Sequence, residues 1–363
     1  MHRRHFLGTA AIGTLLSGCA GRPARPTQPT HCLPPVRVST DRIIRTAAGL
    51  RPYRAEGFVV RAEPIGEKRL IHNYGHGGAG ITLSWGSSNL ATSLGLQDHH
   101  GPVAVIGAGV MGLTTARLVQ EAGFPVTIYA NALPPHTTSD VAGGQFHPFG
   151  HYDPSRVTPE WRAQFIAAVD FSWRRFQIMV GEDYGIRWLP TFSETSGEPE
   201  PQLLATFPPA NRVLSVDQNP FPFANVSSYD TLYVETGRLL RQLLRDVQIA
   251  GGSIEVRNFR TPDEVARLRE NLVFNCTGLG ARDLFGDTAL RPARGQLAIL
   301  LPQPEVRYAF TGRAGYMFPR PDGIILGGTF ELDEWEAVAE PETIARIVAS
   351  HRRLFASLRC EVP

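Results

Sequence analysis

The stretch VAVIGAGVMGL, residues 103–113, decides the fold of this chain. Its four apolar residues, 103–106, predict a strand that is buried on both faces, as in a parallel sheet. The glycines that follow have the spacing of a dinucleotide-binding turn. Gly107 permits the sharp turn, Gly109 lets the backbone approach a pyrophosphate, and Gly112 lets the next helix pack closely. The motif has this meaning only between a strand and a helix, and this sequence predicts both.

A complete β-α-β unit surrounds the turn. Residues 113–122 predict a helix that ends at Gly123, and residues 126–129 predict a second buried strand. The helix N-terminus therefore faces the phosphates of a bound nucleotide. The second strand is followed by Asn131 rather than by the acidic residue that usually binds the ribose, although an amide can also bond a hydroxyl. The candidate nucleotide-binding residues of this unit are Gly107, Ala108, Gly109, Met111, Gly112 and Asn131.

Composition places the chain among ordinary folded proteins. It has 363 residues, 42% of them hydrophobic, and a formal net charge of +2. The length suits one large domain or two smaller ones, and the charge gives no reason to expect a nucleic-acid partner. Strands alternate with helices, which predicts an α/β chain. Further strands are predicted at residues 272–274, 297–300 and 324–326, and further helices at 81–94, 161–180, 239–249 and 341–358.

The first residues have the pattern of an export signal. A double arginine at positions 3–4 precedes an uncharged run, residues 9–16, that is too short to span a bilayer. The sequence LSGC, residues 16–19, follows and resembles a lipobox, in which Cys19 takes a lipid after cleavage. We therefore expect residues 1–18 to be a twin-arginine lipoprotein signal.

A tether is expected between the anchor and the folded unit. Residues 19–35 are rich in proline, a composition that cannot bury a core and favours an extended chain. The mature protein would then be exported and held by the lipid on Cys19 at the periplasmic side of a membrane or at the cell surface.

Several other motifs resemble those of one flavoprotein family. The stretch HNYGHGGAGIT, residues 72–82, is the most specific, and it resembles the signature that D-amino-acid oxidases carry near their C-terminus. TTSDVAGG, residues 137–144, resembles the stretch by which these enzymes hold the FAD pyrophosphate and lay backbone against the flavin. NCTG, residues 275–278, resembles the end of a further FAD-domain strand. The resemblance covers about residues 36–360.

The substrate half of that family has counterparts as well. GLRP, residues 49–52, resembles the loop with the carboxylate-binding arginine. RPARGQ, residues 291–296, resembles the crossing toward the substrate domain, while YMFP at 316–319 and LGG at 326–328 resemble active-site strands. In the usual order of the family, the motif with the carboxylate-binding arginine follows the dinucleotide turn. Here that motif, at residues 49–52, precedes the turn, which indicates a circular permutation.

The resemblance implies a division into two discontinuous domains. A Rossmann-type FAD-binding domain would comprise residues 36–150 and 234–291. A substrate-binding domain of the α+β kind, built on a mixed sheet, would comprise residues 151–233 and 292–363.

The resemblance also implies an activity, the oxidative deamination of D-amino acids with FAD as cofactor. The family chemistry needs a clamped carboxylate, a neutral amine and an α-hydrogen aimed at flavin N5. Arg51 corresponds to the carboxylate clamp, the Tyr316 hydroxyl adds to it, and the Gly78 carbonyl accepts from the amine. The N–H groups of Gly80, Ile81 and Thr82 would start a helix whose positive end stabilises the reduced flavin. The remaining cofactor-binding candidates are Thr137, Thr138, Ser139, Gly143, Gly144, Gln145 and Thr277.

Several alternatives stay open at this point. Gln145 and His147 are candidates for the side-chain pocket, and His147 or Arg320 would favour acidic D-amino acids, as in D-aspartate oxidase. Gly312 stands where the family often has a second, lid-borne tyrosine, which predicts a more open site. The electron acceptor is oxygen or a membrane quinone, and a lipoprotein that only binds an amino acid is the non-enzymatic alternative. The 11 histidines have no metal-ligand spacing, and the oligomeric state is open.

The sequence also predicts the environments of three cysteines. Cys276 ends an apolar strand and is expected to be a small buried residue rather than a nucleophile. In an unpermuted relative, the last helix would continue directly into the strand that starts near residue 36. Cys32 and Cys360 should therefore be neighbours in space, and an exported protein could keep a disulfide between them.

The export signal gives a first testable prediction. Replacing Arg3 and Arg4 together with lysine should leave FAD-loaded protein in the cytoplasm, because the twin-arginine route carries folded proteins. Immunoblots of cell fractions, with the unaltered chain as control, measure this. Normal export of the double variant would contradict the assignment.

Overall fold

The computed structural model describes residues 32–359, which form two β-sheets flanked by helices. The strands are β1 (Ile43–Tyr53), β2 (Val59–Ile65), β3 (Lys68–Tyr74), β4 (Val103–Ile106), β5 (Val126–Ala130), β6 (Ile186–Glu194), β7 (Arg212–Val213), β8 (Val226–Val234), β9 (Ser253–Val256), β10 (Leu272–Asn275), β11 (Arg291–Leu300), β12 (Ala309–Gly312), β13 (Gly315–Arg320), β14 (Gly323–Gly327) and β15 (Glu331–Leu332).

The five helices expected from hydrophobic periodicity are present, together with two short helices that were not expected. They are α1 (Gly80–Gly95), α2 (Val110–Glu121), α3 (Pro159–Ile178), α4 (Thr236–Ile249), α5 (Pro262–Ala266), α6 (Gly280–Phe285) and α7 (Pro341–Ala356), and short 3-10 turns lie at Thr40–Arg42, Gly77–Ala79 and Thr138–Val141. The mixed α/β class is confirmed. Within residues 32–359, no helix has the length and apolar character needed to cross a membrane.

The six-stranded sheet holds the predicted β-α-β unit. Its order is β2-β3-β10-β4-β5-β9, and all neighbours run parallel except β2 and β3. After β4 the chain moves outward to β5, whereas β10 lies on the other side of β4. The carboxyl ends of β4 and β10 therefore flank a topological switch point, where open α/β sheets bind their ligands.

The larger sheet is mixed, and one of its strands contains residues that were expected to form a loop. Its order is β1-β11-β14-β13-β12-β6-β8-β7, with β15 also paired to β11. Residues 49–52 were expected to form a loop, and this prediction is wrong: they lie inside β1, which pairs antiparallel with all 10 residues of β11. Because its partner strand is almost 250 positions away in sequence, no local pattern reveals this pairing. It also places β1 in the larger sheet, although our division assigned residues 36–150 to the FAD-binding domain.

Helix packing on the small sheet depends on one glycine. A Cβ on Gly86 of α1 would lie 1.8 Å from the Ala168 carbonyl oxygen of α3, so any side chain there would force the two helices apart. The close approach also lets the Gly86 N–H donate to the Ser172 hydroxyl at 2.7 Å. Helices α1–α4 share a buried core with β4 and β5. This core fixes the position of the dinucleotide turn, which follows β4.

The two ends of the described chain meet on the larger sheet. Leu33 and Leu358 pack against one buried cluster of that sheet. The Tyr308 hydroxyl donates to the Pro34 carbonyl at 2.9 Å, and Arg352 donates to the Val38 carbonyl at 3.2 Å. The last part of the expected tether is therefore packed from Leu33 onward, because its apolar side chain finds a core. Residues 1–31, with the expected signal and most of the tether, lie outside the described residues.

The structure bears on two of the cysteine predictions. Cys276 is buried and free, as expected, and burial raises the pKa of its thiol to about 12. Cys32 is disulfide-bonded. Cys360 lies outside the described residues, so its pairing with Cys32 stays a prediction.

That pairing can be tested by counting thiols. A chain that starts after Cys19 keeps three of the four cysteines. Denatured without reduction, it should show one reactive thiol, that of Cys276, and all three after reduction. Cys32→Ser is the matched control and should expose Cys360. Three reactive thiols without reduction would contradict the disulfide.

Candidate active site

A cavity of about 1030 Å³ lies between the two sheets, at the switch point of the smaller one. This volume is at the upper end of the range for ligand pockets. One end is formed by the turns after β4 and β10, and the other by β1, β11 and β13 of the larger sheet. The first turns of α1 and α2 also line it.

The dinucleotide turn has the conformation that its glycines predict. Gly107 has φ of +113°, and a Cβ there would lie 2.5 Å from the Cys276 carbonyl oxygen. A Cβ on Gly112 would lie 1.9 Å from the Gly107 carbonyl oxygen. Both positions therefore exclude side chains, and the helix α2 starts as close to the turn as its backbone allows.

Helix α2 begins with little to neutralise its positive end. Gly109 at the cap position offers no side chain, and no acidic residue lies in the first turn. The Val110 N–H donates to the Ser139 hydroxyl at 3.0 Å. Ser139 thus lies directly over the helix start, in the segment that the sequence assigned to the same nucleotide. A helix N-terminus of this kind is suited to bind a phosphate group.

Helix α1 begins at the same cavity in the same way. Its cap residue, Ala79, makes no side-chain hydrogen bond, and its first turn also lacks acidic residues. Gly78, Gly80 and Ile81 line the cavity at this point. The cavity therefore receives the positive ends of two helices, an arrangement suited to a ligand with a pyrophosphate and a second electron-rich group.

The segment at 137–144 lays bare backbone against the cavity. Asp140 fixes its start by accepting from the Thr137 hydroxyl at 2.8 Å and from the Thr137 N–H at 3.0 Å. A Cβ on Gly143 would lie 3.0 Å from the Phe318 ring. Gly144 has φ of +93°, and a Cβ there would lie 2.0 Å from the Val234 carbonyl oxygen. Both glycines let this segment pack closely against its neighbours, and the segment lines the cavity beside the start of α2. Together with the two helix starts, these cavity residues fit FAD.

Arg51 enters the other end of the cavity from β1. Its Nη1 donates to the Thr329 carbonyl at 2.9 Å. A Cβ on Gly295 would lie 2.1 Å from its Nη2, so the guanidinium crosses β11 at a residue without a side chain. Within residues 32–359, Arg51 forms no salt bridge with a carboxylate. The Arg51 guanidinium is therefore available to an anionic ligand.

Tyr316 and Gly78 lie beside Arg51. The Tyr316 ring stacks on Phe318 with 4.5 Å between centroids. Burial raises the pKa of the Tyr316 phenol, and the neighbouring Arg51 guanidinium opposes part of that rise. A Cβ on Gly78 would lie 3.5 Å from the Arg51 side chain. The structure thus brings together the three residues that the sequence assigned to catalysis.

Most of the expected cofactor-binding residues line the same cavity. Those that do are Gly78, Gly80, Ile81, Gly107, Ala108, Gly109, Met111, Asn131, Thr137, Thr138, Ser139, Gly143, Gly144, Gln145 and Thr277. Gly112 does not line the cavity, because its role is the close packing described above. Thr82 does not either: its hydroxyl accepts from the His147 N–H at 3.0 Å and so holds the neighbouring loop.

Two expectations about substrate selectivity change. Arg320 is not part of the cavity wall, because its guanidinium is buried between Asp322, at 2.8 Å, and the Ala142 carbonyl, at 3.2 Å. His147 does line the cavity, where its Nε2 lies 3.0 Å from Glu200 Oε1. Gly312 ends β12, and β13 starts at Gly315. Only a tight turn therefore lies at the position where the family often has a lid with a second tyrosine.

The sequence reasoning missed several residues of this wall. Ser193, Glu200 and Thr311 line the cavity beside His147. Ser193 and Thr311 lie on adjacent strands and share a hydrogen bond of 3.1 Å. No local motif marks any of the three, because strand pairing and a loop fold bring them together.

Comparison with known proteins agrees with this geometry. The profile of a family described as FAD dependent oxidoreductase matches residues 30–94 and 102–362. A D-amino-acid oxidase of Streptomyces coelicolor is 31% identical over 274 residues, covering 73% of this chain and 80% of its own. The D-aspartate oxidase of Homo sapiens is 28% identical over 258 residues, covering 68% and 74%.

A solved structure shows the same fold. Glycine oxidase from Bacillus cereus superposes with a TM-score of 0.53 at 16% identity, covering 70% of this chain and 78% of its own. The family profile matches far more than half of the sequence, in two segments that meet at the linker before β4. The chain therefore belongs to the family of FAD-dependent oxidoreductases.

Proposed function

We propose that this enzyme oxidises D-amino acids to 2-oxo acids, with release of ammonia and formation of hydrogen peroxide. One observation carries the proposal: Arg51, which has no carboxylate partner within residues 32–359, faces a cavity that also receives the N-termini of two helices. The similarity to D-amino-acid oxidases supports the choice of substrate.

The residues of this chain contribute binding and orientation. FAD, when bound, accepts the α-hydrogen of the substrate as a hydride. Arg51 clamps the substrate carboxylate through its planar guanidinium, and the Tyr316 hydroxyl donates to the same group. The Gly78 carbonyl accepts from the neutral amine. With both ends of the α-carbon fixed, no side chain has to act as a general base.

The backbone supplies the electrostatic part. The N–H groups at the start of α1 would stabilise the negative charge that reduction brings to a bound flavin. The N–H groups at the start of α2, together with Ser139, suit the pyrophosphate. Asn131, at the end of β5, is placed at the cavity wall where a ribose hydroxyl can be bonded.

The setting of the enzyme is part of the proposal. We place it outside the cytoplasm, anchored by a lipid on Cys19, as the signal-like sequence of residues 1–19 suggests. Oxygen is the proposed electron acceptor, and a membrane quinone is the alternative that such an anchor favours. The order of motifs is proposed to result from circular permutation, which the packing of Leu33 and Leu358 against the same buried cluster supports.

The activity can be tested with one panel of substrates. Protein purified without its signal should be yellow, and acid precipitation should release the FAD because no residue is assigned to link it covalently. Under anaerobic conditions, D-amino acids should bleach the flavin absorbance and their L-enantiomers should not. Oxygen and a soluble quinone, offered separately to the bleached enzyme, identify the acceptor. Flavin that no D-amino acid bleaches would contradict the proposal, and a colourless protein would favour a binding lipoprotein.

The role of Arg51 gives a second test. Arg51→Leu should raise KM and lower kcat, because the clamp both binds the carboxylate and sets the hydride geometry. A loss of about 2–4 kcal/mol corresponds to a fall in kcat/KM of roughly 30- to 900-fold. Arg45→Leu, an exposed site on the same strand, is the matched control and should behave as the unaltered enzyme. An unchanged kcat/KM in Arg51→Leu would remove the assignment.

A further inference from the structure

We propose that Glu200 gives this enzyme a preference for D-amino acids whose side chains end in a cationic group. The inference rests on the proposed function and goes beyond it, since it names the substrate class. Glu200 belongs to no motif of the sequence. It reaches the cavity from the loop that follows β6, and its side chain is only 14% exposed.

The position of Glu200 is fixed by its backbone. The Asn211 side chain accepts from the Glu200 N–H at 3.2 Å and donates to the Glu200 carbonyl at 2.7 Å. This two-point clamp holds the loop in one place and leaves the carboxylate free to face the cavity. The carboxylate is therefore part of a built wall rather than a side chain on a loose surface loop.

The carboxylate has unused bonding capacity. Because a carboxylate only accepts, His147 Nε2 is the donor in the 3.0 Å bond to Oε1. No residue between 32 and 359 bonds to Glu200 Oε2. A carboxylate so enclosed is stabilised by a further donor, and the ammonium or guanidinium of a substrate side chain can supply a cationic one.

Charges elsewhere in the wall do not cancel Glu200. Arg51 is assigned to the substrate carboxylate. Arg313, which follows the lining residue Gly312 but does not itself line the cavity, is paired with Glu194 at 2.6 Å. Arg257 also lines the cavity, but it lies over the Phe259 ring at the nucleotide end, 4.6 Å from the centroid. An acidic substrate side chain next to Glu200 would therefore meet a like charge, which disfavours D-aspartate and D-glutamate.

A row of polar groups connects the two ends of the substrate. Tyr316 lies directly opposite Thr311 on the neighbouring strand. The Thr311 hydroxyl donates to Ser193, and the chain continues from Ser193 into the loop that bears Glu200. All four residues line the cavity. A substrate held by Arg51 and Tyr316 at its carboxylate therefore shares one cavity with Glu200, and we expect its side chain to extend along this polar wall.

The test compares substrates that differ in one charge. D-Lysine and D-norleucine have the same carbon chain, and only D-lysine ends in an ammonium group. With the FAD-loaded enzyme, kcat/KM for D-lysine should exceed that for D-norleucine by about 10- to 100-fold, the range expected for one charge-assisted hydrogen bond. D-Glutamate should be the poorest of the three.

Variants assign the effect to Glu200. Glu200→Gln should bring the ratio of D-lysine to D-norleucine toward one, whereas Glu200→Asp, which keeps the charge, should retain part of it. Glu198→Gln is the matched control, because Glu198 is exposed on the same loop and does not line the cavity. It should leave the ratio as it is.

A binding measurement without turnover separates recognition from chemistry. 5-Aminopentanoate and pentanoate lack the α-amine and cannot be oxidised at that carbon. Titration calorimetry should give a lower Kd for 5-aminopentanoate, and the difference should disappear in Glu200→Gln.

Different outcomes would overturn the proposed oxidation of D-amino acids and the proposed preference for cationic side chains. If no D-amino acid reduces the flavin, the proposed function fails and this inference fails with it. If neutral D-amino acids reduce the flavin but D-lysine has no advantage over D-norleucine, only this inference is overturned. An advantage for D-lysine that persists in Glu200→Gln would overturn it as well.

Discussion

The site depends most on the antiparallel pairing of β1 with β11. The pairing runs along the whole of β11 and sets Gly49 opposite Gly295 and Arg51 opposite Ala293. Since side chains alternate between the faces of a strand, a slip by one residue would turn Arg51 away from the cavity. The register also places the arginine next to Gly295, where its guanidinium has room to cross the neighbouring strand. The chemistry of the site therefore depends on backbone hydrogen bonds between segments that are distant in sequence.

The second constraint is electrostatic and comes from two helix starts. Helices α1 and α2 direct their N-termini to one cavity, and neither has an acidic residue in its first turn. The first N–H groups of a helix have no acceptor within the helix. When such groups are buried, they need hydrogen-bond acceptors from outside the helix. A dinucleotide with a pyrophosphate and an electron-rich ring system meets both requirements. The glycines at 107, 143 and 144 let the backbone of the cavity wall pack against Cys276, Phe318 and Val234, where a side chain would not fit.

Sequence reasoning predicted the parts of this site that depend on local chain geometry. The dinucleotide turn, the helix after residues 72–82 and the assignment of Arg51, Tyr316 and Gly78 all rest on motifs whose glycines or side chains act over a few positions. The structure brings these three residues to one place. The sequence did not show that Arg51 lies within β1, because a strand at a sheet edge with glycine and proline in it has a weak local pattern.

Residues defined by long-range contacts could not be identified from the sequence. Arg320 has the right charge for an acidic substrate, yet its guanidinium is held by Asp322 and the Ala142 carbonyl. Glu200 carries no motif, and only the clamp by Asn211 and the fold of its loop place it in the cavity wall. In both cases the sequence gives the residue type, whereas tertiary contacts decide whether the charge is available to a ligand.

The central claim is that one cavity binds the cofactor and the substrate carboxylate at opposite ends. The most direct measurement is a crystal structure of the enzyme with FAD and 5-aminopentanoate, a carboxylate that it cannot oxidise at the α-carbon. The account predicts the pyrophosphate at the Gly107–Gly109 turn, the flavin ring beside the start of α1, and the carboxylate on Arg51. A flavin at the Arg257 end of the cavity, or a carboxylate bound away from Arg51, would contradict it.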